Sequence, residues 1–223
     1  MGKLSIVATP IGNLEDITLR ALRTLKECDV IYAEDTRIIS KLLSRYEIKK
    51  PLQRLDAATE LKKAEEVVTR LEAGERVVFV SDAGTPGISD PGSRLVARVR
   101  ELLPDAKIEA IPGASALTAA LSIAGVDAAG FVFMGFLPHK KGRQTALKKI
   151  AESKIPVVLY ESPHRILKLL NELYQYTGEG RNVVVARELT KMHEEVLAGT
   201  PRGIAKRLEE KGVVRGEFVV IVH

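Results

Sequence analysis

The sequence has one cysteine, no tryptophan and few aromatic side chains. Cys28 is the single cysteine among 223 residues, which excludes an internal disulfide and a zinc or iron–sulfur site built from several cysteines. The four histidines, at positions 139, 164, 193 and 223, are too far apart in sequence for a two-histidine metal motif, so we expect no metal. Aromatic residues form 4% of the chain, which argues against a platform that stacks several nucleic acid bases.

Long apolar runs are also missing. No run reaches the roughly 18 residues that a membrane span requires. The first residues run directly into the strand-like segment 4–8 and lack the apolar core and cleavage site of a secretory signal. We therefore expect a cytoplasmic protein that does not contact membranes.

Positive charge is concentrated in the second half of the chain. The net charge is +5, and residues 126–223 hold 16 basic and 11 acidic side chains, whereas residues 1–125 are neutral overall. A basic half beside a neutral half is typical of a protein with a polyanionic partner. Solubility alone also explains a modest excess of this size.

The first half alternates short apolar runs with helical patterns. Leu95, Val99 and Leu102 recur at helical spacing, as do Leu117 and Leu121. The alternation predicts a mainly parallel sheet covered by helices on both faces. The expected strands are 4–8, 29–33, 76–81 and 107–111.

Small residues at 124–130 suggest a linker, so we expect two α/β domains, residues 1–125 and residues 126–223. In the second domain we expect strands near 131–136, 156–160, 182–186, 194–198 and 217–222, and helices near 143–153, 163–176 and 201–211. Three helix starts are predicted from a capping residue followed by proline: Asp90-Pro91, Ser162-Pro163 and Thr200-Pro201.

Three loops that follow strands are rich in glycine and proline. In an open α/β sheet such loops meet at the carboxyl ends of the strands, where ligands bind, although each loop alone is also explained as a tight turn. No dinucleotide, P-loop or nucleophile-elbow motif is present. The candidate binding residues in these loops are Pro10, Ile11, Gly12, Asp82, Ala83, Gly84, Thr85, Ser115 and Ala116.

Eight ordered motifs between residues 4 and 222 closely resemble the tetrapyrrole methylase family, and within it the members that act on small-subunit ribosomal RNA. The motifs are VATPIGNL (7–14), AEDTR (33–37), VSDAGTP (80–86), IPGAS (111–115), GFLP (135–138), YESPHR (160–165), ARELTK (186–191) and GEF (216–218).

The resemblance implies S-adenosylmethionine (SAM) bound in a cleft between the two α/β domains, a fold distinct from the Rossmann dinucleotide fold. It implies methyl transfer to the ribose 2′-hydroxyl of a cytidine in the decoding region of small-subunit (16S) rRNA. Homodimers are usual in the family, so a homodimer is also expected.

The sequence departs from the family in two places. Where members often carry a His-x-x-Asn element, this chain reads Asp56-Ala57-Ala58-Thr59, so a role for that element is in doubt. Many members also continue into a helical extension beyond the position of His223, and we expect a smaller substrate footprint here.

A ribose hydroxyl must lose its proton when it is methylated, which requires a nearby base. We rank Glu188 and Asp35 ahead of His164 and place Lys191 in the same group, while Glu34 and Glu161 are further carboxylate candidates. Each also has an ordinary structural explanation: Asp35 at a helix start, His164 on a helix surface and Glu188 with Lys191 as an ion pair.

The segment 137–149 is basic, and no acidic residue occurs from 128 to 151. We expect Lys140, Lys141, Arg143 and Arg165 to contact RNA phosphates, with a solvated helix face as the alternative. Two other functions stay open: methylation of carbon in a tetrapyrrole, and a non-catalytic ribosome-binding factor of the same fold.

Overall fold

A computed structural model describes residues 2–212 and 214–223, which divide into two compact units that meet in sequence at Ser115 and Ala116. The division lies before the boundary expected after residue 125. Helix α5 (Ala116–Ile123) precedes the small-residue segment, yet it contacts the sheet of the second unit and belongs to it. No helix in the described part of the chain has the length and apolarity that a bilayer crossing requires.

The first unit is one parallel sheet with strand order β3-β2-β4-β1-β5. Its strands are β1 (Lys3–Val7), β2 (Val30–Ala33), β3 (Leu52–Arg54), β4 (Arg76–Val80) and β5 (Lys107–Ile111). Its helices are α1 (Leu19–Glu27), α2 (Thr36–Arg45), α3 (Glu60–Glu72) and α4 (Ser93–Leu102), with a 3-10 turn at Leu14–Asp16. Strand β3 was not among the expected strands, because Gln53 and Arg54 interrupt its apolar pattern.

Both faces of this sheet are buried. Along β2, Ile31 and Ala33 pack in a core with α1 and α2, whereas Val30 and Tyr32 pack in a separate core with α3 and α4. Strands that are covered on both sides need apolar residues at every position, which is why they are short continuous runs in the sequence. The expected parallel sheet with helices on both faces is confirmed.

The second unit is a mixed sheet with strand order β6-β7-β10-β8-β9, in which only β6 and β7 are parallel. The strands are β6 (Val132–Phe136), β7 (Val157–Glu161), β8 (Val183–Arg187), β9 (Glu195–Gly199) and β10 (Phe218–Val222). Helices α6 (Arg143–Glu152), α7 (Ile166–Thr177) and α8 (Pro201–Glu210) share one core with the sheet. The predicted elements of this half are present within a few residues of their expected ends.

One of the three predicted helix starts is confirmed. Thr200 caps α8, since its side chain accepts the Gly203 N–H and Pro201 is the first helical residue. The other two are wrong, because α4 begins at Ser93 and α7 at Ile166. In both cases the proline lies in a turn before the helix, so the cap-and-proline pattern marks the turn.

Helix α4 is capped from a distance. Gly92, which precedes it, has φ of +126° and supplies no side chain. Instead, the Glu60 carboxylate of α3 accepts the N–H groups of Gly92 (2.8 Å) and Leu95 (2.9 Å), and Glu60 is only 3% exposed. A carboxylate at a helix N-terminus satisfies otherwise unpaired donors and interacts favourably with the helix dipole.

We predict that Glu60→Ala lowers the free energy of unfolding by about 2 to 4 kcal/mol, because two buried N–H groups lose a charged acceptor. Glu60→Gln retains an oxygen acceptor and should lose about half as much. Urea unfolding followed by circular dichroism measures both changes. Glu72→Ala, at the exposed end of the same helix, is the control; equal stability of the Glu60→Ala and Glu72→Ala variants would contradict the prediction.

Candidate functional site

The glycine- and proline-rich loops of the first unit are joined by hydrogen bonds. Thr9 after β1 and Gly84 after β4 exchange two backbone hydrogen bonds, with N···O distances of 2.9 and 3.0 Å. The Thr85 hydroxyl donates to the carbonyl oxygen of Ala114 after β5, at 3.2 Å. The structure therefore brings the three loops together at the carboxyl edge of the parallel sheet.

Two glycines permit this close approach. Gly84 has φ of +77°, and a Cβ added there would lie 3.3 Å from the Ile11 side chain. A Cβ on Gly113 would lie 3.0 Å from the Cβ of Ala8. Contacts between the loops thus explain both glycines, and the glycines alone do not indicate a ligand.

The candidate binding residues differ in accessibility. Gly12 and Ala83 are exposed, Ile11, Asp82 and Thr85 are half-buried, and Pro10 and Gly84 are buried inside the loop junction. Ser115 is the last residue of the first unit, and Ala116 begins α5. The exposed and half-buried members can reach a ligand, whereas Pro10 and Gly84 shape the loops.

Five carboxylates lie at this same edge, and we call them the acidic edge. They are Glu34, Asp35, Asp56, Asp82 and Asp90. Burial raises the pKa of Glu34, and the charges of the other four raise it further. Burial likewise raises the pKa of Asp82, although its carboxylate accepts the Asp35 N–H at 2.8 Å. Because the charges of the neighbouring acids raise the pKa of Glu34 in addition to burial, the potential at Glu34 is negative, which favours a cationic ligand.

Asp56 and Asp90 were not singled out from the sequence. Asp56 follows β3 as Glu34 follows β2 and Asp82 follows β4, so the position of acids after parallel strands was the signal that could have found Asp56. Asp56 also accepts the N–H groups of Ala58 and Thr59 and forms the turn before α3. That turn occupies the place of the family's His-x-x-Asn element.

Asp35 has a structural explanation that weakens it as a base. It is the N-cap of α2, and its carboxylate accepts the Arg37 N–H and guanidinium. The hydrogen bonds from Arg37 lower the pKa of Asp35 to about 2. Among residues 2–212 and 214–223, no three His, Cys, Asp or Glu side chains are placed to share a metal ion.

Glu188 and Lys191 form a second charged group with Glu217 in the other unit, which we call the Glu188 cluster. The Lys191 ammonium donates to Glu188 and to Glu217 at 2.9 Å each, and the Glu217 N–H donates to the Glu188 carboxylate at 3.0 Å. Glu188 has φ of +51°, an uncommon conformation for a residue with a side chain. A Cβ on Gly216 would lie 2.4 Å from Cγ of Glu188, so only glycine fits there.

The ionisation of this cluster is set by the ion pairs. Burial alone would raise the pKa of Glu188, but the hydrogen bonds from Lys191 and from the Glu217 N–H hold it below its ordinary value. Burial alone would lower the pKa of Lys191, and the two carboxylates raise it instead. Lys191 is therefore a cation at neutral pH and cannot act as the base. Glu188 is ionised and held in a strained backbone, a combination found at functional sites.

His164 is exposed in the turn before α7, whereas Glu161 is 1% exposed at the end of β7. Oε1 of Glu161 pairs with Nε of Arg165 at 3.3 Å, and Oε2 has no hydrogen-bond partner. Arg165 also donates to the carbonyl oxygen of Leu137 at 2.5 Å. The YESPHR motif thus braces the segment that follows β6.

The four basic residues expected to contact RNA differ in their exposure to solvent. Lys140 and Lys141 are exposed. Arg143 is 5% exposed and donates to Glu172 and to the carbonyl oxygen of Pro138, so it is not free to contact phosphate, and that expectation is corrected. The Arg165 side chain is 16% exposed and has the partners given above. A basic run in the sequence did not distinguish lysines that face solvent from arginines that brace the chain.

The fold is that of known methyltransferases. Solved structures with this fold include the methyltransferase CobJ, with a TM-score of 0.73 and 21% identity over 100% of this chain and 94% of that one. Diphthine synthase has a TM-score of 0.73 and 17% identity over 99% and 89%. Uroporphyrin-III C-methyl transferase from Thermus thermophilus, solved with S-adenyl homocysteine, has a TM-score of 0.64 and 20% identity over 99% and 97%.

The family described as Tetrapyrrole (Corrin/Porphyrin) Methylases matches residues 3–205, and the chain belongs to it. Among curated relatives, a Thermotoga maritima protein is 44% identical over 100% of this chain and 98% of its own length. A Haemophilus influenzae protein is 45% identical over 100% and 78%, and a Borrelia garinii protein is 46% identical over 98% and 97%. All three are named ribosomal RNA small subunit methyltransferase I, so the resemblance found in the sequence is confirmed.

Proposed function

We propose that the protein is a SAM-dependent methyltransferase whose cofactor lies against the loops of the first unit. The observation that supports this most is the acidic edge beside the three joined loops. SAM carries a sulfonium and an ammonium, and both positive charges are stabilised by a negative potential. When bound, SAM supplies an activated methyl group. The protein orients the reacting groups and provides a base that accepts the proton.

The residues present fit such a ligand. The exposed backbone of Gly12 and Ala83 permits close approach, and Asp82 adds a half-buried carboxylate whose pKa is raised by burial. We assign cofactor contacts to 10–12, 82–85 and 115–116. These contacts use backbone and carboxylate groups, and none of them requires a metal.

We propose small-subunit rRNA as the substrate and the ribose 2′-hydroxyl of a decoding-region cytidine as the acceptor. The names of the relatives support the rRNA, and the exposed Lys140 and Lys141 support contact with phosphates. Because ribosomes lie in the cytoplasm, an rRNA substrate agrees with the expected cytoplasmic location. The homodimer that the family resemblance implies is part of the same proposal.

We assign to Glu188 the role of the base that accepts the proton of the 2′-hydroxyl. As the oxygen gains a carbon it becomes strongly acidic, so even a carboxylate with a lowered pKa can accept its proton. Lys191 and the Glu217 N–H hold the carboxylate ionised and fixed in place. Asp35 is less suited, because its carboxylate is bound to Arg37, and His164 is the remaining candidate.

Transfer of labelled methyl groups tests the substrate. We expect the label from SAM to enter small-subunit rRNA, either as naked RNA or in isolated subunits. The label should stay on the RNA backbone when the nucleobases are cleaved off, because it lies on the ribose. SAM binding measured by calorimetry should be the same with and without chelator. Label in a tetrapyrrole precursor instead would favour the carbon methyltransferase, and binding to subunits without any transfer would favour the non-catalytic factor.

Glu188→Gln should lower the single-turnover rate about 10²- to 10⁴-fold, the usual contribution of a general base. Glutamine can still accept the Glu217 N–H, so SAM affinity measured by calorimetry should stay the same. Glu209→Gln, which removes an exposed carboxylate of α8, is the control. A near-normal rate for Glu188→Gln would move the role to Asp35, His164 or solvent.

A further inference from the structure

Three aromatic rings group on one face of the second sheet, at its edge strand. The ring of Tyr160 lies 5.0 Å from that of Phe133 and 5.7 Å from that of Phe136, both edge to face. The side chain of Phe136 is 53% exposed. A large exposed ring that is held by a second ring is a candidate contact surface.

A β-bulge directs Phe136 to this face. The pairing of β6 with β7 shifts between Phe133 and Gly135, so Met134 is an extra residue and Gly135 takes φ of +60°. Without the shift, side chains of residues three apart would point to opposite faces of a strand. With it, Phe133 and Phe136 both lie on the face opposite the helical core, paired with Val158 and Tyr160. Bulges commonly re-aim a side chain at functional sites.

The same segment carries the exposed lysines. Phe136 is followed by Leu137 and Pro138, whose carbonyl oxygens accept from Arg165 and Arg143. Lys140 follows after His139, with its Cα at most about 14 Å from that of Phe136. The two arginines thereby fix a short segment that presents one aromatic ring and two ammonium groups to solvent.

The charge of the segment determines which partner suits it. No acidic residue occurs from 128 to 151, so the segment that carries the ring has positive and no negative side chains of its own. A second copy of the chain would bring a like charge against it, whereas a polyanion complements it. An unpaired base offers the ring a face to stack on, and its phosphates offer the lysines a negative charge.

We propose that Phe136 stacks on one unpaired base of the RNA substrate, while Lys140 and Lys141 contact its phosphates. This proposal rests on the proposed function for the identity of the RNA. A single ring stacks one base, which agrees with the scarcity of aromatic residues elsewhere. It makes Phe136 a specificity-determining residue for unpaired over paired RNA, since a base within a duplex has no free face.

The test compares two strands of equal charge, an oligouridylate and its abasic counterpart, in filter binding. The wild-type protein should bind the base-bearing strand about 5- to 150-fold more tightly, the range expected for one stacked base. Phe136→Leu should bring this ratio close to one, and Phe136→Tyr should retain it. The double variant Lys140→Ala/Lys141→Ala should weaken both strands equally and make the salt slope shallower by about 1.4 to 1.8.

Phe131→Leu, the same change at another exposed aromatic residue before β6, is the control and should keep the wild-type ratio. The proposal is overturned if the wild-type protein binds both strands equally, or if Phe136→Leu keeps the ratio. It is also overturned if Phe136→Leu alters the oligomeric state in sedimentation, since the ring then belongs to an interface between copies. Binding is measured without methyl transfer, so a failure of the proposed reaction would not be confused with a failure of stacking.

Discussion

The parallel pairing of the first sheet is the constraint on which the candidate site depends. Because β1, β2, β4 and β5 run in one direction, every loop that follows one of these strands emerges at the same edge. The loop after β1 bonds to the loop after β4, which in turn contacts the loop after β5. Acids placed after successive strands gather at that edge for the same reason, and their charges add to the effect of burial in raising the pKa of Glu34.

In the second unit, buried charges serve to position exposed ones. Arg143 and Arg165 are drawn inward by Glu172 and Glu161 and hold the two carbonyl oxygens that follow β6. Lys140 and Lys141, which follow these two carbonyl groups in sequence, are exposed to solvent. Breaking a buried ion pair leaves an uncompensated charge, so these arginines matter for the shape of the segment even though they do not face a partner.

Much of the fold could be predicted from the sequence, because short apolar runs and helical periodicity are local signals. Thr200-Pro201 marked a helix start correctly, since its cap is the residue next to the helix. Asp90-Pro91 did not, because α4 is capped by Glu60 from another helix, a contact that no local pattern contains. The burial of Arg143 and the bulge that turns Phe136 likewise depend on neighbours distant in sequence. The motif resemblance identified the family, and the assignment of each residue within it still rests on geometry.

Amide hydrogen exchange with and without saturating SAM tests directly whether the three joined loops of the first unit bind the cofactor. Thr9 and Gly84 already donate backbone hydrogen bonds in the loop junction, so new protection should come from the exposed residues Gly12 and Ala83 and their neighbours. We predict added protection in peptides covering 8–14, 81–87 and 111–116, and none across residues 61–72 of α3. Protection by SAM that leaves all three loops unchanged would contradict this prediction.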